Sequence, residues 1–162
     1  MRKFVPCNAS WSCWKDLPPE ETNANLMAVK MSGRYVGQLK VELHHEPSGM
    51  RLNTAAPVDN NGDGSSFSPT DLVAAALGAC MLTIVAMVAE RDGIDPSALA
   101  FECEKHMQSS PRQIGAVPVR LLMPAGLSSE QRAKLERAAL TCPVHRSLLP
   151  EIDKTVTFVY PD

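Results

Sequence analysis

The stretch S-P-T-D-L-V-A-A-A-L-G-A-C-M-L-T-I-V-A-M-V-A-E-R, Ser68 to Arg91, decides how the rest of the chain can fold. Ser68 is a good helix N-cap, Pro69 stands at the first helical position, and Asp71 lies three residues after the cap. An acidic first turn also suits the helix dipole. These signals predict a helix that runs to Glu90 or Arg91 and stops before Gly93. From Leu72 to Ala89 there are eighteen residues without a charge, which reaches the length of a membrane span. Six of them are Ala, one is Gly and one is Thr, so the segment is weakly hydrophobic for a span. Asp71, Glu90, Arg91 and Asp92 bound it without a positive-inside asymmetry. A helix that is apolar all round reads instead as the buried centre of a globular protein.

Upstream, A-V-K-M-S-G-R-Y-V-G-Q-L-K-V-E-L alternates from Ala28 to Leu43 and predicts two strands joined by a turn near Gly33. A third strand, Met50 to Thr54, follows a P-S-G turn, and residues 57–68 form a polar, glycine-rich loop. Downstream, Leu99 to Gln108 reads as a strand, with Val117 to Met123 as its partner after a P-R-Q-I-G turn region. Ser128 and Gln131 form a capping box for a second helix. It runs to Thr141 or Cys142 and is halted by Pro143. Lys154 to Tyr160 is the last strand. Strands in hairpin-like groups separated by single helices predict an α+β fold with antiparallel pairing, not a doubly wound sheet. Residues 1–26, with Pro6, Pro18, Pro19, Glu20 and Glu21, are a poorly patterned leader offering Trp11 and Trp14 for packing. Met27 is a plausible alternative start, and 27–162 reads as one domain without internal repeats.

The length of 162 residues suits a single core. A formal net charge of −2 with no polybasic run provides nothing for nucleic acid or a membrane surface. Aromatic residues at 5% argue against a stacking platform for bases. The five cysteines, Cys7, Cys13, Cys80, Cys103 and Cys142, are odd in number and irregularly spaced, unlike a secreted disulfide framework. The N-terminus has no continuous apolar core of the signal-peptide kind. The expected compartment is the cytoplasm, where paired cysteines are more often catalytic or metal-binding than structural.

Cys80 lies twelve residues past the cap, about 18 Å along the helix, on one face with Ala76, Thr83 and Met87. Taken alone it is more simply an inert core thiol. The helix dipole fades within the first turn, so a reactive Cys80 needs a separate cation. Cys142, in T-C-P-V-H-R, sits at a helix end beside His145 and Arg146, where a cysteine can be exposed and activated. The same C-x-x-H pattern occurs in metal sites, so a module using Cys80, Cys142 and His145 stays open. D-N-N-G-D-G from Asp59 mimics the start of a calcium loop, but its twelfth position is Thr70 rather than Glu. Cys7 and Cys13 read as a pair or as free thiols of the leader. Cys103 alternates with Phe101 and reads as core. His44 and His45 point to opposite strand faces, and His106 has no partner in view.

Together these segments resemble the OsmC/Ohr family of thiol-dependent peroxidases. The likeness rests on S-P-T-D-L-V-A-A-A-L-G-A-C ending at Cys80, on T-C-P-V-H at Cys142, and on S-G-R-Y-V-G-Q-L-K-V-E near the N-terminal side. It implies an intertwined homodimer with two long central helices against antiparallel sheets and active sites at the subunit interface. Cys80 then matches the peroxidatic cysteine, which attacks an organic hydroperoxide, and Cys142 the resolving cysteine that closes a disulfide. Arg34 matches the arginine that holds the peroxidatic sulfur ionised. A dithiol, dihydrolipoyl or of low molecular weight, reduces the pair, and no cofactor or metal is implied. The family commonly carries Glu directly after the proline, paired with that arginine; here the position is Thr70. The alternative is an OsmC-like ligand-binding or thiol/metal-binding protein with weak or no peroxidase activity.

Overall fold

Helix α1, Pro69–Arg91, forms where its caps place it. The Asp71 N–H donates to Ser68 Oγ at 3.2 Å, and the Ser68 N–H donates to Asp71 Oδ2 at 2.7 Å. Gly93, at φ 72°, takes the left-handed conformation that ends the helix. One stripe of α1 is buried: Ala74, Leu77, Gly78, Met81, Val85 and Ala89. At Gly78 an added Cβ would stand 2.3 Å from Phe101 Cδ2, so the missing side chain is what lets the Phe101 ring lie on the helix. The opposite face, Ala76, Ala79, Thr83 and Met87, is exposed. The helix has the length and composition of a membrane span, yet one side of it is packed against protein and the other is uncovered. The expectation of a helix buried all round therefore holds for one face only.

The computed structural model describes residues 28–161. The leader, with Cys7, Cys13, Trp11 and Trp14, and its boundary with the domain lie outside the described residues. Strands β1 (Met31–Gly37), β2 (Lys40–His45) and β3 (Arg51–Ala55) form an antiparallel sheet in that order. After α1 come β4 (Ala100–Cys103), a hairpin of β5 (His106–Ser109) and β6 (Arg112–Ala116), and β7 (Val119–Leu122). Helices α2 (Ser129–Ala139) and α3 (Pro143–Ser147) lead into β8 (Val156–Val159). The second sheet has the order β4-β7-β8 and packs on the buried stripe of α1, as does α2. Val117, Val119, Leu121, Met123, Leu135 and Ala139 complete the core. The mixed helix-and-sheet architecture agrees with the α+β expectation.

Several predicted boundaries are corrected. Gly33 is not a turn but lies in mid-strand opposite Leu43; the turn follows at Gly37, Gln38 and Leu39, at φ 92°, 52° and 56°. The single strand expected over 99–108 is two strands in different sheets, because the chain breaks at Glu104 and Lys105 and Lys105 turns toward the start of α1. The P-R-Q-I-G region holds strand β6. Strand β8 is parallel to β7, not antiparallel, since the connection between them is a long crossover carrying two helices. Among the described residues α1 is the long helix, with 23 residues; α2 has 11 and ends before Thr141. His106 does have a partner, Glu104 at 3.0 Å. His44 and His45 do face opposite ways, toward Glu46 and Ser48 respectively.

Candidate active site

Pro143 does not simply stop α2. It opens α3 as the first helical residue, where its fixed φ is suited and its missing N–H costs nothing. Cys142 becomes the N-cap, and its Sγ accepts the His145 N–H at 3.2 Å. This corrects the expectation of an exposed, activated thiol: Cys142 is 0% exposed. Burial pushes its pKa above the ordinary thiol range. The neighbouring Cys80 side chain raises it further, against backbone N–H groups that lower it. His145 supplies little charge here, since burial and Lys154 hold its ring below the usual imidazole range. Arg146 is exposed.

Cys80 is half-buried on α1, between the packed stripe and the uncovered apolar face. Both cysteines are free thiols. The fold thus brings together two residues sixty-two positions apart by packing α3 on α1. Arg34 is placed elsewhere. It is exposed on β1 and bonds to Glu42 across the hairpin, and β1 packs on β2 rather than on α1. Cys103 is partly buried against the core, as its alternation suggested, and burial raises its pKa.

Around Thr70 sits a cation that the sequence reading missed. Lys105 Nζ donates to Asp71 Oδ1 at 2.6 Å, to Thr70 Oγ1 at 3.0 Å and to Ser68 Oγ at 3.3 Å. No local pattern signals this; it arises from the break between β4 and β5. Burial pushes the Asp71 carboxyl up, but the donors Lys105 and Ser68 together hold it below the ordinary value. A depressed folded pKa contributes stability above the unfolded value and loses it as pH falls through the folded one. Asp71→Asn is expected to cost about 1–2 kcal/mol at pH 7, the size of a lost cap, read by urea unfolding. The gap from the wild type should narrow below about pH 4. A gap that does not change with pH would separate the stability from the Asp71 charge.

The acidic loop does not assemble a calcium site. Asp59 is paired with Arg112 at 3.0 Å and Asp63 with Lys40 at 2.7 Å. Among the described residues no group of three or more His, Cys, Asp or Glu is placed to hold a metal ion, so Cys80, Cys142 and His145 are not gathered as ligands.

Residues 62–157, a span that includes both thiols, match the family model described as OsmC-like protein. The chain belongs to the OsmC-like family. Among curated protein sequences none matches. A crystal structure from Psychrobacter arcticus, described as an osmotic stress induced and detoxification response protein, is 34% identical, with a TM-score of 0.78 over 83% of this chain and 99% of that one. Two more distant ones show the shared fold. The organic hydroperoxide resistance protein OsmC of Legionella pneumophila has 20% identity and a TM-score of 0.63 over 82% and 97% of the two chains. OhrB, the organic hydroperoxide resistance protein of Bacillus subtilis, has 19% identity and a TM-score of 0.58 over 82% and 98%. In OsmC-like terms, the family match begins after the hairpin that carries Arg34.

Proposed function

We propose that this chain is a cytoplasmic cysteine peroxidase that reduces organic hydroperoxides. The observation that carries the reading is the pair of free thiols that the packing of α3 on α1 brings together, Cys80 partly accessible and Cys142 enclosed. Membership of the OsmC-like family supports it, and so do the hydroperoxide resistance names of the Legionella and Bacillus proteins. The Cys80 thiolate attacks the distal peroxide oxygen, the O–O bond breaks, and the alkoxide leaves to take a proton as an alcohol. Cys80 is then a sulfenic acid. The Cys142 sulfur attacks it, an S–S bond forms, and hydroxide leaves with the Cys142 proton as water. A dithiol, dihydrolipoyl or of low molecular weight, returns the pair to thiols by exchange and is itself oxidised to a disulfide. A buried Cys142 with a raised pKa stays protonated until that attack, so Cys80 is the nucleophile and Cys142 the resolver.

Arg34 reaches a Cys80 only across a subunit boundary in this reading, because its hairpin does not pack on α1 of its own chain. A second copy of the chain would also cover two apolar faces. Met31 and Tyr35, 69% and 66% exposed, lie on one sheet, and Met87, 61% exposed, lies on α1. The test is to treat reduced protein with cumene hydroperoxide, quench, and map disulfides by mass spectrometry. A Cys80–Cys142 peptide pair in near-stoichiometric yield is expected. Hydroperoxide consumption no faster than that of free thiol would instead favour an OsmC-like ligand-binding protein.

A further inference from the structure

Glu42 stands directly across the β1–β2 ladder from Arg34. The Arg34 Nε–H donates to Glu42 Oε1 at 2.8 Å, and Arg51 Nη1 on β3 donates to the same oxygen at 2.8 Å. The Glu42 side chain is 19% exposed, against 57% for Arg34 and 59% for Arg51. The carboxylate is therefore the fixed point, and the guanidinium groups lie over it from both neighbouring strands. Two charge-assisted bonds on one oxygen restrain it from either side. The other polar side chains on this face are committed to each other. His44 Nδ1 lies 3.3 Å from Glu46 Oε1, which also accepts the Ser32 hydroxyl at 2.8 Å. Together these side chains line a groove of about 580 Å³. At the start of α1, Thr70 carries no charge and the Asp71 carboxylate is held by Lys105 and Ser68. Among the described residues, Glu42 is the carboxylate that Arg34 bonds to.

We propose that Glu42 is the positioning residue for Arg34, doing from within β2 what position 70 cannot do here. This rests on the peroxidase reading, in which Arg34 serves Cys80. Because both groups belong to one hairpin, the guanidinium is oriented before it meets a thiol, and little freedom remains to be lost when it does.

The direction of the effect separates this role from a mere charge. As a bare negative charge Glu42 would oppose a nearby thiolate, so removing it would make Cys80 ionise at lower pH. As the anchor of Arg34, its removal frees the cation and makes Cys80 ionise at higher pH. The experiment follows alkylation of Cys80 by iodoacetamide against pH in the full chain, read on the Cys80 peptide by mass spectrometry. It compares wild type, Glu42→Gln, Glu42→Asp and Arg34→Met, with far-ultraviolet circular dichroism as the check on folding. Glu42→Gln and Arg34→Met are both expected to move the midpoint up by about one pH unit, a roughly tenfold lower rate below it. Glu42→Asp should recover most of that shift. A midpoint that stays or falls in Glu42→Gln while it rises in Arg34→Met overturns the role of Glu42 and leaves that of Arg34 standing. An unmoved profile in Arg34→Met overturns both, whereas the peroxidase reading itself stands or falls separately on hydroperoxide consumption by the wild type.

Discussion

Cys80→Ser is expected to lower organic hydroperoxide consumption at least about a thousandfold, as removal of a reacting nucleophile does in other enzymes. A hydroxyl at this half-buried position has no thiolate chemistry. The fold should tolerate the change, since Cys80 lies at the edge of the packed stripe and oxygen replaces sulfur with a small loss of volume. Cys142→Ser should behave differently. Its first turnover should proceed at close to the wild-type rate and stop at the sulfenic acid, which dimedone would label at Cys80. Stopped-flow consumption of cumene hydroperoxide, with adduct mapping, measures both. If Cys80→Ser keeps the wild-type rate, the nucleophile lies elsewhere.

Leu77→Ala should cost about 2–5 kcal/mol of stability, the range for a buried leucine truncated in a core that cannot collapse around it. Leu77 is 0% exposed, and Gly78 beside it is already in close contact with the Phe101 ring, so α1 has little room to settle inward. Against a typical total of about 5–15 kcal/mol, a loss of that size shifts the urea midpoint strongly. Ala76→Ser, on the exposed face of the same helix, should cost far less in the isolated chain. Similar losses for the two variants would contradict the division of α1 into a packed and an uncovered side.

The sequence marks α1 fully, because Ser68, Pro69 and Asp71 act through local hydrogen bonds and fixed dihedrals. Ser128 and Gln131 likewise announce α2, whose capping box closes at 3.2 and 2.9 Å. What local pattern cannot carry is partnership between segments. The glycine at 33 looks like a turn until Leu43 is seen across from it. With the turn misplaced, Arg34 and Glu42 cannot be recognised as neighbours, and so the anchor of the arginine stayed hidden. Lys105 reads as one more strand residue until the chain breaks and sends it to Asp71. Pro143 reads as a stop signal, although the same fixed φ that ends one helix begins the next. Cys80 and Cys142 were legible as candidates by resemblance, but the burial of Cys142 follows from α3, which no motif announces.

Because β8 runs parallel to β7, the chain must complete the whole crossover of α2 and α3 before its last strand can pair. Cys142 lies inside that crossover, at the N-cap of α3, which packs on α1. A nascent chain emerging from the ribosome therefore presents Cys80 on a formed helix long before it has a settled neighbour. Cys142 joins Cys80 only once synthesis has passed α3, so products truncated before residue 142 carry Cys80 without this neighbour.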